Sequence, residues 1–281
     1  MAIFLQILLY ILIGIGCVIV GAVALFLLAL FSVAVFVAGG LIFVFICGLF
    51  VDKNKEYDKP SKFYSWLFQF CTVSMMILFN VRIRAEGIEK VPQGRFLLVS
   101  NHRSNYDPIL TSRVFRKHQL AWISKPSNFK VPFFGPIIHR LCYMPIDREN
   151  ARNAVKTINR AAKYITDDVG CVGVYPEGTR SKNCVLLPFH NSVFKVAQKA
   201  KVPVVTVAIC GTELIHKRTP FKRTVVTVKV IDVIETEEVM SMRTSEMGDR
   251  MKLRLEEELP LIEGVREQKP VEVVETKEEK E

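Results

Sequence analysis

From Met1 to Phe50 the chain contains no Asp, Glu, Lys or Arg, and its only clearly polar side chains there are Gln6 and Ser32. A segment of that length and composition is read as a membrane anchor. One continuous helix of about 48 residues would run about 72 Å, more than twice the roughly 30 Å hydrocarbon thickness, so two spans, or one span with a re-entrant piece, are expected. Gly21 or the Gly39-Gly40 pair would supply the break. No positive stretch precedes the apolar run, which is also too long for a cleaved signal peptide, so the anchor is expected to stay. Lys53, Lys55, Lys59 and Lys62 follow directly, in company with three acids, Asp52, Glu56 and Asp58. That Lys/Arg excess places this side, and with it the rest of the chain, in the cytoplasm.

All of the charge lies beyond the anchor. Of the net +10, the segment from Glu267 to Glu281 holds six Glu against three Lys, or −3, which leaves +13 between Val51 and Arg266. A basic domain beside an apolar anchor suits an anionic membrane surface or anionic substrates, with nucleic acid as the competing reading. No zinc-finger spacing or aromatic ribonucleoprotein motif supports the latter. The seven cysteines are scattered without a Cys-x-x-Cys pair, which argues against a disulfide framework or zinc site and for a reducing compartment.

Between Phe63 and Asn80, Phe63, Trp66, Leu67, Phe70, Val73, Ile77 and Leu78 recur at helical spacing. This amphipathic helix either lies in the membrane interface, with Trp66 and Lys62 at headgroup level, or covers the domain core. Beyond it, strands are predicted at 81–84, 96–100, 120–124, 143–146, 171–175, 202–210 and 224–234. Helices are predicted at 108–115, 150–166, 192–200 and 243–258, the second burying Ala151, Ala154, Val155, Ile158 and Ala162. The alternation predicts an α/β fold with a mostly parallel central sheet flanked by helices. The expected division is an anchor at 1–51, a basic linker and amphipathic helix at 52–80, a catalytic domain at 81–262, and a charged, disordered tail at 263–281.

Two constellations carry chemistry. Asn101-His102-Arg103-Ser104-Asn105-Tyr106-Asp107-Pro108 follows the apolar run 96–100, which sets His102 at the C-terminal end of a strand, where α/β sites gather. An Asp five positions after a His, across a tight loop, can hold Nδ1 and leave Nε2 free to take a proton. With a substrate hydroxyl as third member, neither an enzyme nucleophile nor a Gly-x-Ser-x-Gly elbow is needed. The plainer reading of Asp107-Pro108 is a helix N-cap followed by proline at the first helical position. The second constellation, Tyr175-Pro176-Glu177-Gly178-Thr179-Arg180-Ser181, also ends a strand. As a turn it is unremarkable, yet glycine admits close anion approach and Arg180 offers a fork for phosphate oxygens. Lys125 and Arg148 occupy further loops between the same strands.

Together these motifs resemble those of the glycerolipid acyltransferases, in particular the 1-acylglycerol-3-phosphate (lysophosphatidic acid) acyltransferase family. The resemblance rests on Asn101-His102 with Asp107, on Lys125 to Gly135 leading to Ile146-Asp147-Arg148, on Pro176-Glu177-Gly178-Thr179-Arg180, and on Val202-Pro203-Val204. Order and rough spacing agree over about residues 81 to 235. It implies that His102 is the general base and Asp107 its support. It also implies phosphate contact for Arg148, Arg180 and Lys125, and an acceptor site shaped by Asn101, Glu177, Gly178 and Thr179. The acyl donor would be acyl-CoA or acyl carrier protein, with no metal or cofactor and no nucleic-acid partner, and the partners would be membrane lipids and lysophosphatidic acid. The chain departs from the family pattern at Thr206, where a second proline is often found, and at His190-Asn191-Ser192, where many members carry a basic residue and then glycine. The rival readings are another acceptor, such as glycerol-3-phosphate or a different lysophospholipid, and a membrane lipid-binding protein without activity.

Overall fold

The computed structural model describes residues 1–148, 150–181 and 183–267, and the chain divides at Asp52 into two units. The first unit is a single helix, α1 (Ala2–Leu49), of which Ile3–Leu49 is long and apolar enough to cross a membrane. It runs without a break through Gly21 and Gly39-Gly40, so the expected turn is not present. A helical glycine costs only about 1 kcal/mol relative to alanine, too little to open a helix that has no polar turn residues beside it.

The second unit opens with a linker that Tyr57 fixes in place. The Arg140 guanidinium lies 3.9 Å from its ring centroid, and Arg160 donates to its carbonyl at 3.3 Å. Helix α2 (Lys62–Leu78) follows, with Leu67, Phe68 and Thr72 buried. The apolar stripe read from the sequence is divided. Leu67 packs inward, whereas Phe63, Trp66, Phe70 and Ile77 stand exposed, with the Trp66 and Phe70 rings stacked at 5.6 Å.

The remaining elements run in chain order as β1 (Val81–Glu86), β2 (Leu97–Ser100), α3 (Asp107–Val114), β3 (Ala121–Ser124), α4 (Phe134–Arg140), β4 (Met144–Pro145), α5 (Ala151–Thr166) and β5 (Val172–Val174). After these come α6 (Lys195–Ala200), β6 (Val204–Cys210), α7 (Ile215–Arg218), β7 (Thr224–Ile234), α8 (Thr236–Ser241) and α9 (Thr244–Glu267). The predicted strands are all present within two residues of their expected ends. The sheet order is β1-β7-β6-β2-β5-β3-β4. Strands β6, β2, β5, β3 and β4 are mutually parallel, β1 is parallel to β7, and β6 with β7 forms the antiparallel pair. Every residue of β2 and β6 is buried, as expected of strands covered on both faces.

Two expectations are corrected by packing. In α5 the buried stripe is Ile158, Ala161, Ala162, Tyr164 and Ile165, while Ala151 and Val155 are exposed, because the helix packs inward only from its third turn on. Helix α9 continues past 262 to Glu267, so the folded unit extends into the segment read as tail; residues 268–281 of that segment lie outside the described residues.

Five parallel strands bring their C-terminal ends to one edge of the sheet, and each motif follows one of them. His102 follows β2, Lys125 follows β3, Arg148 follows β4, Tyr175 to Arg180 follow β5, and Gly211-Thr212 follow β6. Because β2 lies between β5 and β6, His102 is flanked by residues far from it in sequence.

Candidate active site

The loop after β2 is built around the carboxylate of Asp107, which is wholly buried. Its Oδ2 accepts the backbone N–H groups of Arg103 at 2.6 Å and Ser104 at 2.7 Å, and lies 2.8 Å from Nδ1 of His102. Its Oδ1 accepts the Thr212 hydroxyl at 2.5 Å. Asp107 is the first residue of α3, and its carboxylate is turned back into the preceding loop, so the N-cap reading gives way to an orienting one. A carboxylate at Nδ1 fixes the tautomer with its proton there and leaves Nε2 as the basic atom. The His102 side chain is 18% exposed, and among the described residues Nε2 has no hydrogen-bond partner.

The imidazole plane is set by stacking. The Tyr175 ring lies on His102 with centroids 4.2 Å apart and planes 16° apart, and Trp122 lies on the other face of Tyr175 at 4.5 Å and 4°. Trp122 is paired with Gly173 in the β3–β5 register, and a Cβ at Gly173 would fall 2.7 Å from the indole, so only glycine leaves room for that ring. Trp122 Nε1 donates to Ser112 Oγ at 2.8 Å. The Tyr175 hydroxyl is out of solvent toward Thr111, and among the described residues neither oxygen completes a hydrogen bond. Burial first, and the nearby Asp107 charge next, push the Tyr175 phenol well above its usual range, so it stays neutral.

Asn101 and Glu177 act through backbone. The Asn101 amide donates to the Ile209 carbonyl at 2.9 Å and accepts the Ile209 N–H at 2.8 Å, continuing the β2–β6 ladder with a side chain. Glu177 is 3% exposed; its Oε1 accepts the His102 N–H at 2.7 Å and its Oε2 the Leu187 N–H at 3.0 Å. Burial raises the Glu177 carboxyl above its ordinary value, and those two N–H groups offset part of the rise. The Ser181 N–H donates to the His102 carbonyl at 2.8 Å, which completes the joint between the two motif loops.

Gly178 closes the turn after β5 with φ +72°, and a Cβ there would lie 2.9 Å from the His190 ring. Its carbonyl accepts the Arg148 guanidinium, which brings the loops after β4 and β5 together. Thr179, Arg180 and Lys125 are exposed at the same edge of the sheet. Of the sequence candidates, His102 is thus joined by hydrogen bonds to Asp107 and Glu177, Asn101 ties the start of the same loop to Ile209 of β6, and Arg148 and Gly178 form a second pair.

Sequence reading missed three contributors. Thr212 is a lone threonine whose partner follows a neighbouring strand. Trp122 reads as an ordinary core aromatic. Arg103, 7% exposed, donates to Glu263 Oε1 at 2.5 Å and to the Cys184 carbonyl at 3.2 Å, tying α9 to the catalytic loop. Burial opposes the Arg103 charge, and the Glu263 hydrogen bond with its neighbours outweighs it, so the guanidinium is held above its usual range.

Comparison with known proteins bears on the chain's family and fold. Residues 82–210 match the family described as Acyltransferase. The 1-acyl-sn-glycerol-3-phosphate acyltransferase of Saccharomyces cerevisiae is 24% identical over 192 residues, covering 66% of this chain and 63% of that protein. The protein of the same name from Haemophilus influenzae is 30% identical over 140 residues, covering 48% of this chain and 56% of that protein. The chain therefore spans less than two thirds of the length of these curated relatives. In fold, it is similar to the crystal structure of the 1-acyl-sn-glycerophosphate (LPA) acyltransferase PlsC from Thermotoga maritima. The TM-score is 0.58 at 24% identity, over 86% of this chain and 94% of that one. The motifs thus stand in order within a segment that matches the acyltransferase family, and the fold is that of a solved acyltransferase.

Proposed function

We propose that this chain transfers a fatty acyl group from acyl-CoA or acyl carrier protein to the sn-2 hydroxyl of 1-acyl-glycerol-3-phosphate, giving phosphatidic acid. The observation that carries the reading is the 2.8 Å contact of His102 Nδ1 with a carboxylate held by three further donors, with Nε2 left free. The relatives bearing that activity in their names support the choice of acceptor.

In this mechanism Nε2 of His102 takes the acceptor hydroxyl proton as the oxygen attacks the thioester carbonyl. A C–O bond forms, and the tetrahedral intermediate collapses with cleavage of the C–S bond. The departing sulfur then recovers the proton from the imidazolium, so the histidine ends as it began. Asp107 holds the ring and stabilises its charged form. Arg148, Arg180 and Lys125 would bind the acceptor phosphate, while Asn101, Glu177, Gly178 and Thr179 shape the loop that receives it. The chemistry as written uses no metal or cofactor.

The anchor α1 and the exposed Phe63, Trp66, Phe70 and Ile77 of α2 support a site held at a bilayer, on the cytoplasmic side by the lysine excess after residue 52. The test is transfer of labelled acyl groups from each donor to lysophosphatidic acid in mixed micelles, beside His102→Ala. Turnover that vanishes in the variant supports the reaction and its base. Turnover with glycerol-3-phosphate or another lysophospholipid alone would change the acceptor, and none with any acceptor would leave a lipid-binding protein.

A further inference from the structure

From within α7 to the start of β7 the chain reads His216-Lys217-Arg218-Thr219-Pro220-Phe221-Lys222-Arg223, with four permanent cations and no acid. Phe221 is 93% exposed, in a domain that leaves Phe96 and Phe194 no accessible surface at all. Loose backbone does not account for this. The Thr219 N–H donates to the Ile215 carbonyl at 3.0 Å, Lys222 N–H to Arg218 at 2.9 Å, and Thr224 N–H to Asn80 at 2.9 Å. The Thr219 hydroxyl also donates to the Phe79 carbonyl at 3.3 Å. The loop is mounted at both ends, with the phenyl ring at its tip turned outward. Among the described residues, none of Lys217, Arg218, Lys222 or Arg223 enters an ion pair.

The base of the loop sits at the C-terminal end of α2, where Ile77 is 74% exposed. The His216 ring lies 5.1 Å from Tyr106, and Phe79 meets Tyr106 from α2's end at 6.0 Å. Tyr106 directly precedes Asp107.

We propose that residues 216–223 form a membrane-docking loop. Phe221 enters the boundary between headgroups and acyl chains, and Lys217, Arg218, Lys222 and Arg223 take anionic headgroups. An anionic leaflet favours each nearby cation about fivefold, so four of them select such a leaflet over a zwitterionic one. An acidic protein surface would answer the cations alone. The outward phenyl at the tip is the feature that a bilayer uses and an acidic protein does not. The loop goes beyond the proposed reaction and does not depend on it. If that reaction holds, docking here brings the His102–Asp107 loop to the surface where a lysolipid acceptor resides.

The test is fluorescence quenching in the full-length protein carrying Trp66→Phe and Phe221→Trp, with the buried Trp122 as baseline, measured against the same protein without Phe221→Trp. Vesicles of phosphatidylglycerol and phosphatidylcholine would carry bromines on the acyl carbons nearest the headgroup. The introduced tryptophan is expected to be quenched in these vesicles, much less in phosphatidylcholine alone, and to lose that difference when Lys217, Arg218, Lys222 and Arg223 are changed to Gln. The baseline protein reports the environment of Trp122 alone, and the quenching result does not depend on turnover. Emission unaffected by bromine, or quenching indifferent to lipid charge, would overturn the proposal. A loop that stays in water while the Gln variant slows transfer from acyl carrier protein alone would assign the cations to an acidic protein instead.

Discussion

The hydroxyl of Thr212 donates to Oδ1 of Asp107 at 2.5 Å, and both side chains are wholly buried. Oδ2 of the same carboxylate is occupied by His102 and two backbone N–H groups, so Thr212 is what prevents the carboxylate from turning. Thr212→Val keeps the shape and leaves a buried charged oxygen without its donor, a loss of about 1.5 to 3 kcal/mol. Expressed in the transition state, that is a fall of about 10- to 150-fold in kcat. The acceptor KM should be unchanged and Thr212→Ser should restore most of the rate; a variant with raised KM and normal kcat would place Thr212 elsewhere in the mechanism.

Tyr175 separates stacking from hydrogen bonding. Its ring covers His102, while its buried hydroxyl faces Thr111 without completing a hydrogen bond among the described residues. Tyr175→Phe removes only the unsatisfied oxygen and should leave thermal stability equal or slightly higher, with activity retained. Tyr175→Leu removes the stack with both His102 and Trp122, and each aromatic pair contributes about 0.5 to 1.5 kcal/mol beyond burial. Activity should fall with Leu and not with Phe; equal losses in both variants would assign the effect to the hydroxyl rather than to the stack.

The strands were legible because each is a short run of apolar, often β-branched residues ending in a turn signal, and Val204–Cys210 can hardly be anything else. His102 with Asp107 was legible for a similar reason: both lie in one loop, and local spacing suffices. Thr212 was not, because its contact with Asp107 exists only once β6 takes its place beside β2, which no local pattern records. Helix α4 was missed because it is short and starts after Phe133 in a positive-φ conformation that propensity does not favour. The role of Glu263 was hidden by composition, since the polar end of α9 reads as the beginning of a charged tail.

Glu263 is expected to matter for stability rather than chemistry. Its partner Arg103 has a side chain only 2% exposed, whereas the Glu263 side chain is 35% exposed. Removing the carboxylate by Glu263→Ala leaves a buried cation with the Cys184 carbonyl and the Cys210 sulfur as its remaining partners. A fully buried pair broken this way costs about 3 to 5 kcal/mol, and the exposure of Glu263 brings the expectation down to about 1 to 3. Denaturant unfolding should show the loss, with KM for both substrates near the wild-type value in the folded fraction. A variant as stable as the parent would mean that the other contacts of α9, among them buried Met247, Met251, Leu255, Leu259 and Ile262, hold it without this pair.

His118 gives a pH dependence with a fixed sign. Its ring packs edge-on to Phe96 at 5.0 Å and near Phe115 at 6.1 Å. Burial first, then the charges of Arg95 and Lys117, lower its pKa in the folded chain below the ordinary 6.5. The unfolded chain therefore binds more protons than the folded one between that depressed value and 6.5, and stability rises with pH across this window. The contribution is complete above 6.5 and is lost as pH falls through the folded value. The thermal midpoint should accordingly drop on acidification below pH 6.5, and the drop should be shallower in His118→Phe, which keeps the aromatic packing and removes the proton site. An identical slope in the variant would assign the acid sensitivity to other groups.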